Sequence, residues 1–421
     1  MVSESSAARI ARDDSADPQS VPHVDPATPV AESLTVLIVT PTVDTGAADA
    51  GSMQLVRILA ANGHRPIVAA TAGGRLVPEI IAAGGQFVPM NLATRNPLAI
   101  VRNALALTRL ARTHRCDVIH AHGRAPAWSA YYAARRNGVA FLTSWYKGFR
   151  EQNGAKRFYN SVMARGDRVV AISDQIAEMI TERHGTAPDR IAVIPATIDL
   201  DRFDPLQVSA PRINAVRDHW GVAPETRVIL VPGRIIRRKG HHVVVEAVRR
   251  LKEMGLKDFL CVFAGEGGSQ SRYSGQLWDL VVSSGASDVV RLAGRIDDMP
   301  AALMAATVVV NAAIQAEGLQ RSILEAEAMG RPVVVSDLGA GPDAVLAPPA
   351  VPEDRMTGLR FSSGDSVALA AALVRLFSMS EPARAAIGAR GRAWVTANFN
   401  AAAAVGPTLR LYAEVVRSKR S

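Results

Sequence analysis

The chain has 421 residues, 48% of them hydrophobic but only 5% aromatic, with two cysteines and a formal charge of +9. That length exceeds one ordinary domain, so two are expected. Two cysteines exclude a disulfide framework and a four-thiolate zinc site, and no uncharged apolar run approaches the ~20 residues of a membrane-spanning helix. The positive balance suits nucleic acid, an anionic membrane surface or a phosphorylated small molecule, and equally a merely basic soluble protein.

Residues 1–33 mix Ser, Asp, Ala and Pro without apolar period and predict a disordered tail lacking the pattern of a secretory signal. Leu34–Thr40 then reads as a buried strand, followed by a Gly-containing turn and a helix over Ala50–Asn62. Strand-like runs recur at Pro66–Ala70, Gln86–Met90, Asp117–His120, Phe141–Ser144, Arg168–Ile172 and Ile191–Pro195, with helical stretches between them. Around Ala196–Pro211 the pattern breaks into a linker. A second series follows, with strands at Val228–Pro232, Phe259–Ala264, Val289–Leu292, Thr307–Asn311 and Pro332–Ser336, a helix at His241–Met254, and helices dominating after Ser366.

Such alternation implies βαβ crossovers and parallel sheets. The expected fold is α/β, two Rossmann-like domains facing each other across a cleft, with boundaries at 34–205 and 206–395 and a helix over 396–421 that packs back toward the first. Ligands in such sheets lie at the carboxyl ends of strands, so the cleft is the expected site.

Chemistry-bearing residues cluster at those strand ends. Between Ile229 and His241 a strand closes on Pro232-Gly233, and Arg234 and Lys239 follow in a loop that enters a helix. A guanidinium fork with an ammonium suits a diphosphate, although Arg237 and Arg238 also allow a solvated basic turn. Phe263-Ala-Gly-Glu-Gly-Gly is a weaker signal, either a turn or a close backbone approach, and is not a nicotinamide fingerprint. The loop Asp44-Thr-Gly-Ala-Ala-Asp either admits an anion beside Gly46 or is a tight turn. His120 and His122 share a side of their strand if it extends that far, and either contact a substrate or sit satisfied in the core; no third ligand completes a metal site. Asp199-Leu-Asp201 lies in the linker and reads as a structural turn, and Cys116 and Cys261 read as buried free thiols of a reducing cytoplasm.

The stretch Glu317–Val335 carries two carboxylates eight residues apart, Glu317 ahead of a helix and Glu325 on it. Gly318 permits a tight approach and Ser322 is placed to cap the first turn. The arrangement suits a ligand with anionic groups and sugar hydroxyls.

Together, G-R-I-I-R-R-K-G, F-A-G-E-G-G, V-R-L-A-G-R-I-D-D-M-P and E-G-L-Q-R-S-I-L-E-A-E-A-M-G-R-P-V-V-V-S resemble family 4 of the retaining, nucleotide-sugar-dependent glycosyltransferases, of GT-B fold. H-A-H-G-R-A-P-A-W, R-F-Y-N-S-V-M-A-R-G-D-R-V-V-A-I-S-D and I-P-A-T-I-D-L-D-R-F-D-P look similar to its members in bacterial surface polysaccharide or lipopolysaccharide assembly. The resemblance runs from Leu34 to the C-terminal helices. It implies an acceptor-binding first domain and a donor-binding second one. Arg234 and Lys239, after Gly233, would hold the donor diphosphate, and Glu325 the ribose. Glu317 would orient the sugar, with the backbone of Gly318 and Leu319 near sugar or phosphate oxygens. Gly294 and Arg295 would read the base, Gly46 would pack on the diphosphate, and His122 or His120 would lie near the transferred sugar.

The implied reaction moves a hexose to a saccharide or lipid-linked acceptor with retention, through front-face departure of the diphosphate, and needs no cofactor and no metal. Rivals are an epimerase or phosphorylase of the same fold, a non-catalytic sugar-nucleotide binder and, on charge alone, a nucleic-acid binder, which no basic stripe interleaved with aromatics supports. Basic residues in Tyr146-Lys-Gly-Phe-Arg and Ala155-Lys-Arg-Phe-Tyr either dock on anionic lipid at the inner face of the membrane or form a solvated surface. Three departures stand out: T-G-A-A-D for the family's G-G-x-E, E-G-L-Q for its E-G-F-G, and Ala196-Thr197 where Arg-Gly or Asn-Gly is common.

Overall fold

Val36, Leu37, Ile38 and Val39 are wholly enclosed, as a strand covered by helices on both faces demands. They open the computed structural model, which describes residues 32–44, 46–146, 153–195, 197–267, 272–316, 318–339 and 341–420. The tail over 1–31, Glu317 and all of Lys147–Gln152 therefore lie outside the described residues.

The chain forms two units, one of Thr197–Asn400 and one that includes residues 32–195 with the closing helix. In the amino-terminal unit the order is β1 (Thr35–Val39), α1 (Ala47–Ala61), β2 (Arg65–Ala70), α2 (Val77–Ala82), β3 (Gln86–Pro89), α3 (Pro97–Thr113), β4 (Val118–Ala121), α4 (Arg124–Asn137), β5 (Ala140–Trp145), α5 (Gly154–Ser161), β6 (Arg168–Ala171), α6 (Asp174–His184) and β7 (Ile191–Val193). Its seven strands lie in the order β3-β2-β1-β4-β5-β6-β7, every pair parallel.

The second unit continues with α7 (Ala210–Trp220), β8 (Arg227–Pro232), α8 (His241–Glu253), β9 (Phe259–Ala264), α9 (Arg272–Ser283), β10 (Val290–Gly294), α10 (Met299–Ala305), β11 (Val308–Asn311), α11 (Arg321–Ala328), β12 (Val333–Ser336), α12 (Gly341–Ala344), β13 (Gly358–Phe361), α13 (Ser366–Ser378) and α14 (Glu381–Asn398). Six parallel strands lie in the order β10-β9-β8-β11-β12-β13. The edge strand β13 is absent from the pattern read in the sequence, because Gly-Leu-Arg-Phe is four residues long and carries a charge. It forms because β12 templates it, Val333 to Ser336 pairing with Gly358 to Phe361.

The unit starts at Thr197, ahead of the expected 205/206 boundary, because the linker is built into it. Ile198 N donates to Phe399 O (2.8 Å), Asp199 Oδ1 accepts from Arg202 N, and Asp204 pairs with Arg392 at 3.0 Å. Finally α15 (Ala401–Arg420) returns to the amino-terminal unit. Leu411, Tyr412, Val415 and Val416 enter the core of Val36, Ile38, Val118 and Leu142. Arg420 meets Asp117 at 2.9 Å, and Lys419 meets Asp167 at 3.0 Å.

Candidate functional site

In each sheet the chain leaves a central pair of strands toward opposite edges, between β1 and β4 and between β8 and β11. Neighbouring loops splay apart at such switch points, and the carboxyl ends there are where open α/β sheets bind ligands. In the second unit the loop after β8 carries exposed Arg234 and then the short turn Arg237–Lys239. Gly240 closes the turn at φ +69°, and a Cβ there would lie 1.8 Å from the Ala312 carbonyl oxygen. Only glycine allows both the left-handed backbone and that crossing. Ile314 N donates to Arg238 O at 2.9 Å, so the loops after β8 and β11 are stitched together. Gly265, after β9, is forced in the same way: its Cβ would sit 2.0 Å from Gly233 O. The glycines of F-A-G-E-G thus include one that serves backbone packing.

Lys239 Nζ donates to Gln320 Oε1 at 2.9 Å, and Asn311 Nδ2, at the end of β11, donates to the same oxygen. Burial, with Arg238 and Arg234 nearby, lowers the Lys239 amine from its ordinary value to about 7. A buried cation crowded by like charges favours losing its proton, and an anion set among them would reverse that.

Helix α11 begins at Arg321, with Gln320 in the N-cap position and no side-chain cap. Ser322 is therefore the second helical residue and not the cap expected of it, because the last extended residue before the helix is Gln320. Glu325 stands one turn on, 3.6 Å from Arg321, and burial raises its carboxyl above the ordinary value against the pull of Arg321 and Arg202. Gly318 and Leu319 are buried ahead of the helix. At the end of β10, Gly294 is half-buried and Arg295 is exposed, its guanidinium held 2.8 Å from Asp297. Arg234, Lys239 and Gln320 are thus gathered on the loops of one switch point, whereas Arg295 is engaged within its own loop.

In the amino-terminal unit the acid of T-G-A-A-D folds onto its own loop. Asp49 Oδ2 accepts from Gly46 N (2.9 Å) and Asp44 N (3.1 Å), and Thr42 Oγ1 donates to Oδ1 at 3.1 Å. Asp49 is buried and rigidifies the entry to α1.

His120 and His122 come together, ring centroids 4.4 Å apart and both buried. His120 is fully engaged, Nδ1 with Tyr412 Oη (2.5 Å) and Nε2 with Ser144 Oγ (2.9 Å), which leaves no ring nitrogen for a ligand. His122 Nδ1 meets Tyr146 Oη at 2.7 Å, while its Nε2 is buried without a hydrogen-bond partner among the described residues. Burial lowers His122 to about 3 and His120 well below the ordinary histidine value, so both rings are neutral. Of the two, His122 retains a nitrogen to offer. Tyr412, 292 residues away in sequence, is the partner that local pattern does not reveal.

Both cysteines are buried, Cys116 with its thiol pushed up to about 12 and Cys261 higher still, which keeps them inert. Among the described residues no three His, Cys, Asp or Glu side chains converge to hold a metal ion, and no helix is long and apolar enough to cross a membrane.

Two parallel α/β units joined in one chain, the second with a cationic switch point beside a carboxylate-bearing helix, are the architecture of a GT-B glycosyltransferase. Residues 52–202 match the model of glycosyltransferase family 4, and residues 226–379 that of the glycosyl transferases group 1. The chain belongs to the family 4 glycosyltransferases and is a transferase enzyme. It is 29% identical over 323 residues to a D-inositol 3-phosphate glycosyltransferase of Actinosynnema mirum, covering 71% of this chain and 74% of that protein. A glycosyltransferase structure from Rickettsia africae superposes with a TM-score of 0.81 at 26% identity, over 91% of this chain and 99% of the other. Anabaena HepE in complex with UDP-glucose gives 0.76 at 18% identity, over 91% and 100%.

Proposed function

We propose that the enzyme transfers a hexose from a nucleotide-diphosphate sugar to a hydroxyl acceptor, with retention at the anomeric carbon. The observation that carries this reading is the group Arg234, Arg238 and Lys239 at the β8/β11 switch point, where burial first, and then the like charges of Arg238 and Arg234, depress Lys239 to about 7. A diphosphate relieves that crowding. Arg234 and Lys239 then neutralise the charge that develops as the diphosphate departs, a preorganised electrostatic effect worth on the order of 10²-fold per contact. Glu325, its charge disfavoured by burial, accepts hydrogen bonds from ribose hydroxyls, and Gly294 and Arg295 flank the base. Glu317 orients the sugar with the backbone of Gly318 and Leu319. Within the amino-terminal unit, His122 Nε2 offers a sugar hydroxyl a buried hydrogen-bonding nitrogen. No residue here is needed as nucleophile: the leaving phosphate helps deprotonate the acceptor, and neither cofactor nor metal is required.

The acceptor we favour is a saccharide or lipid-linked saccharide of surface polysaccharide synthesis, taken from the inner face of the cytoplasmic membrane. Lys156, Arg157 and Phe158, all exposed on α5, support docking there, with the Arg165 guanidinium 5.7 Å from the Phe158 ring. The match to a D-inositol 3-phosphate glycosyltransferase supports a second acceptor, a phosphorylated cyclitol.

Melting-temperature shifts with UDP-, GDP- and ADP-hexoses should identify the donor, because a ligand of the folded state stabilises it. Proton NMR of the product made with that donor should then show the donor's anomeric configuration. Inversion, reaction without acceptor, or dependence on inorganic phosphate would refute the assignment. Incubation with inositol 3-phosphate separates the two acceptors, and sedimentation with anionic vesicles at low salt tests the docking.

A further inference from the structure

A series of hydrogen bonds inside the amino-terminal unit links the closing helix to His122. Tyr412 Oη on α15 meets His120 Nδ1 at 2.5 Å, and His120 Nε2 meets Ser144 Oγ at 2.9 Å. The Ser144 hydroxyl hydrogen-bonds the Tyr146 phenol, whose Oη meets His122 Nδ1 at 2.7 Å. That phenol is seated against the bare backbone of α1, where a Cβ on Gly51 would lie 2.1 Å from its oxygen. Both imidazoles are neutral, so each ring has one nitrogen that donates and one that accepts.

Tyr412, His120, Ser144, Tyr146 and His122 thus bring five polar hydrogens to four links, and one hydrogen is left over. If every link is made, only two arrangements exist. Either all groups donate toward His122 and the spare hydrogen stands on His122 Nε2, or all donate toward Tyr412 and it stands on Tyr412 Oη. Tyr412 is 1% exposed and packs in the apolar core with Leu411, Val415 and Val416; among the described residues its hydroxyl has no second hydrogen-bond partner. His122 follows β4 at the β1/β4 switch point, where a ligand oxygen can arrive. The spare hydrogen finds an acceptor only at His122.

We propose that Tyr146 and Tyr412 are positioning residues that hold His122 as the Nε2–H tautomer, so that this switch point presents a hydrogen-bond donor and selects a ligand atom that accepts. Hydroxyl, ether and carboxylate oxygens qualify; an ammonium, which only donates, does not. The choice of ligand rests on the reading that His122 meets a sugar hydroxyl, whereas the tautomer is a property of the free enzyme. The experiment separates the two.

Long-range proton–nitrogen NMR spectra of the full chain, isotope-labelled in histidine, report which ring nitrogen carries the hydrogen. The two rings are identified by the signals lost in His120→Asn and His122→Asn. At pH 7 both should carry the hydrogen on Nε2 in the wild type; finding it on Nδ1 of His122 would overturn the proposal. One hydrogen bond is worth about tenfold in an equilibrium. Tyr146→Phe, and Tyr412→Phe at the far end, should each shift the His122 tautomer ratio by about that factor, so that both nitrogens share the hydrogen. Ser144→Ala cuts the series between them, and in that background Tyr412→Phe should leave His122 unchanged. A His122 tautomer untouched by Tyr146→Phe would refute the role of Tyr146, and one untouched by Tyr412→Phe that of Tyr412. Should Tyr412→Phe fail to fold, the wild-type His120 ring decides: a hydrogen on its Nδ1 would mean that Tyr412 accepts and sets nothing. Saturation with UDP-, GDP- and ADP-glucose in turn should move the His122 Nε2–H signal and keep the tautomer. No movement with any of the three would refute the sugar reading alone, whereas transfer of the hydrogen to Nδ1 would reveal a donating ligand and overturn the selection.

Discussion

Lys239 shows how one side chain links stability to function. Its amine is lowered to about 7 in the folded enzyme against an ordinary 10.5, chiefly by burial. Between those values the unfolded chain holds a proton that the folded one has released, so this residue's contribution makes stability rise as pH rises through that window. Lys239→Met should flatten that slope in urea titrations at pH 7 and 9, raise stability at pH 6, and lower turnover by about 10²-fold or more. Gly240, beside it, tolerates nothing larger: Gly240→Ala forces a Cβ onto the Ala312 carbonyl and should give insoluble or unfolded protein on expression. In the other unit, Tyr412→Phe removes the hydroxyl that pairs with His120 Nδ1 and leaves a buried polar nitrogen. It should cost about 1–3 kcal/mol in denaturant unfolding. That Arg234 and Lys239 stand on the loop after β8, and Glu325 on the helix after β11, was legible from motif and spacing. The inward turn of Gln320 was not, since a departure from a pattern marks a position without saying where the side chain goes.

At the scale of elements, the valine-rich strands declared themselves because strands buried on both faces must be continuously apolar. Strand β13 did not, since only pairing with β12 makes G-L-R-F a strand. Helix α11 hides a second surprise. Besides Glu325 it carries Glu327, fully buried, whose carboxyl burial holds well above the ordinary 4.5 against the Thr357 hydroxyl. Above 4.5 the unfolded chain loses this proton while the folded enzyme keeps it, so stability drains away as pH climbs toward the folded value. Glu327→Gln should therefore raise the melting temperature at pH 7 and have little effect near pH 4. An unchanged difference across that range would show that burial is not what governs this residue. The apolar face of α11 could be read from Ile323, Leu324 and Ala328, but a carboxyl inside the core contradicts the expectation that Glu faces solvent.

At the scale of the whole molecule, the last helix completes the first sheet's core. Burying Leu411, Tyr412, Val415 and Val416 contributes about 1.5–3 kcal/mol each. The sum rivals the net stability of a domain, about 5–15 kcal/mol. Deleting Ala401–Ser421 should abolish one calorimetric unfolding transition, that of the amino-terminal unit, and leave the transition of Thr197–Asn400 in place. Retention of both transitions would mean that α15 is an accessory.

The bridge between Ile198 and Asn400 then acquires a topological meaning. The second unit enters and leaves the chain at adjacent points, and both flanking stretches of polypeptide belong to the other body. In architectural terms it is a guest inserted into a host, with its two ends already sewn together. Such a module can be cut out at 197 and 400, joined end to end and reopened elsewhere, or exchanged for a relative's without re-threading the host. Replacing this cassette leaves the sequence of the host domain, with its terminal helix, untouched.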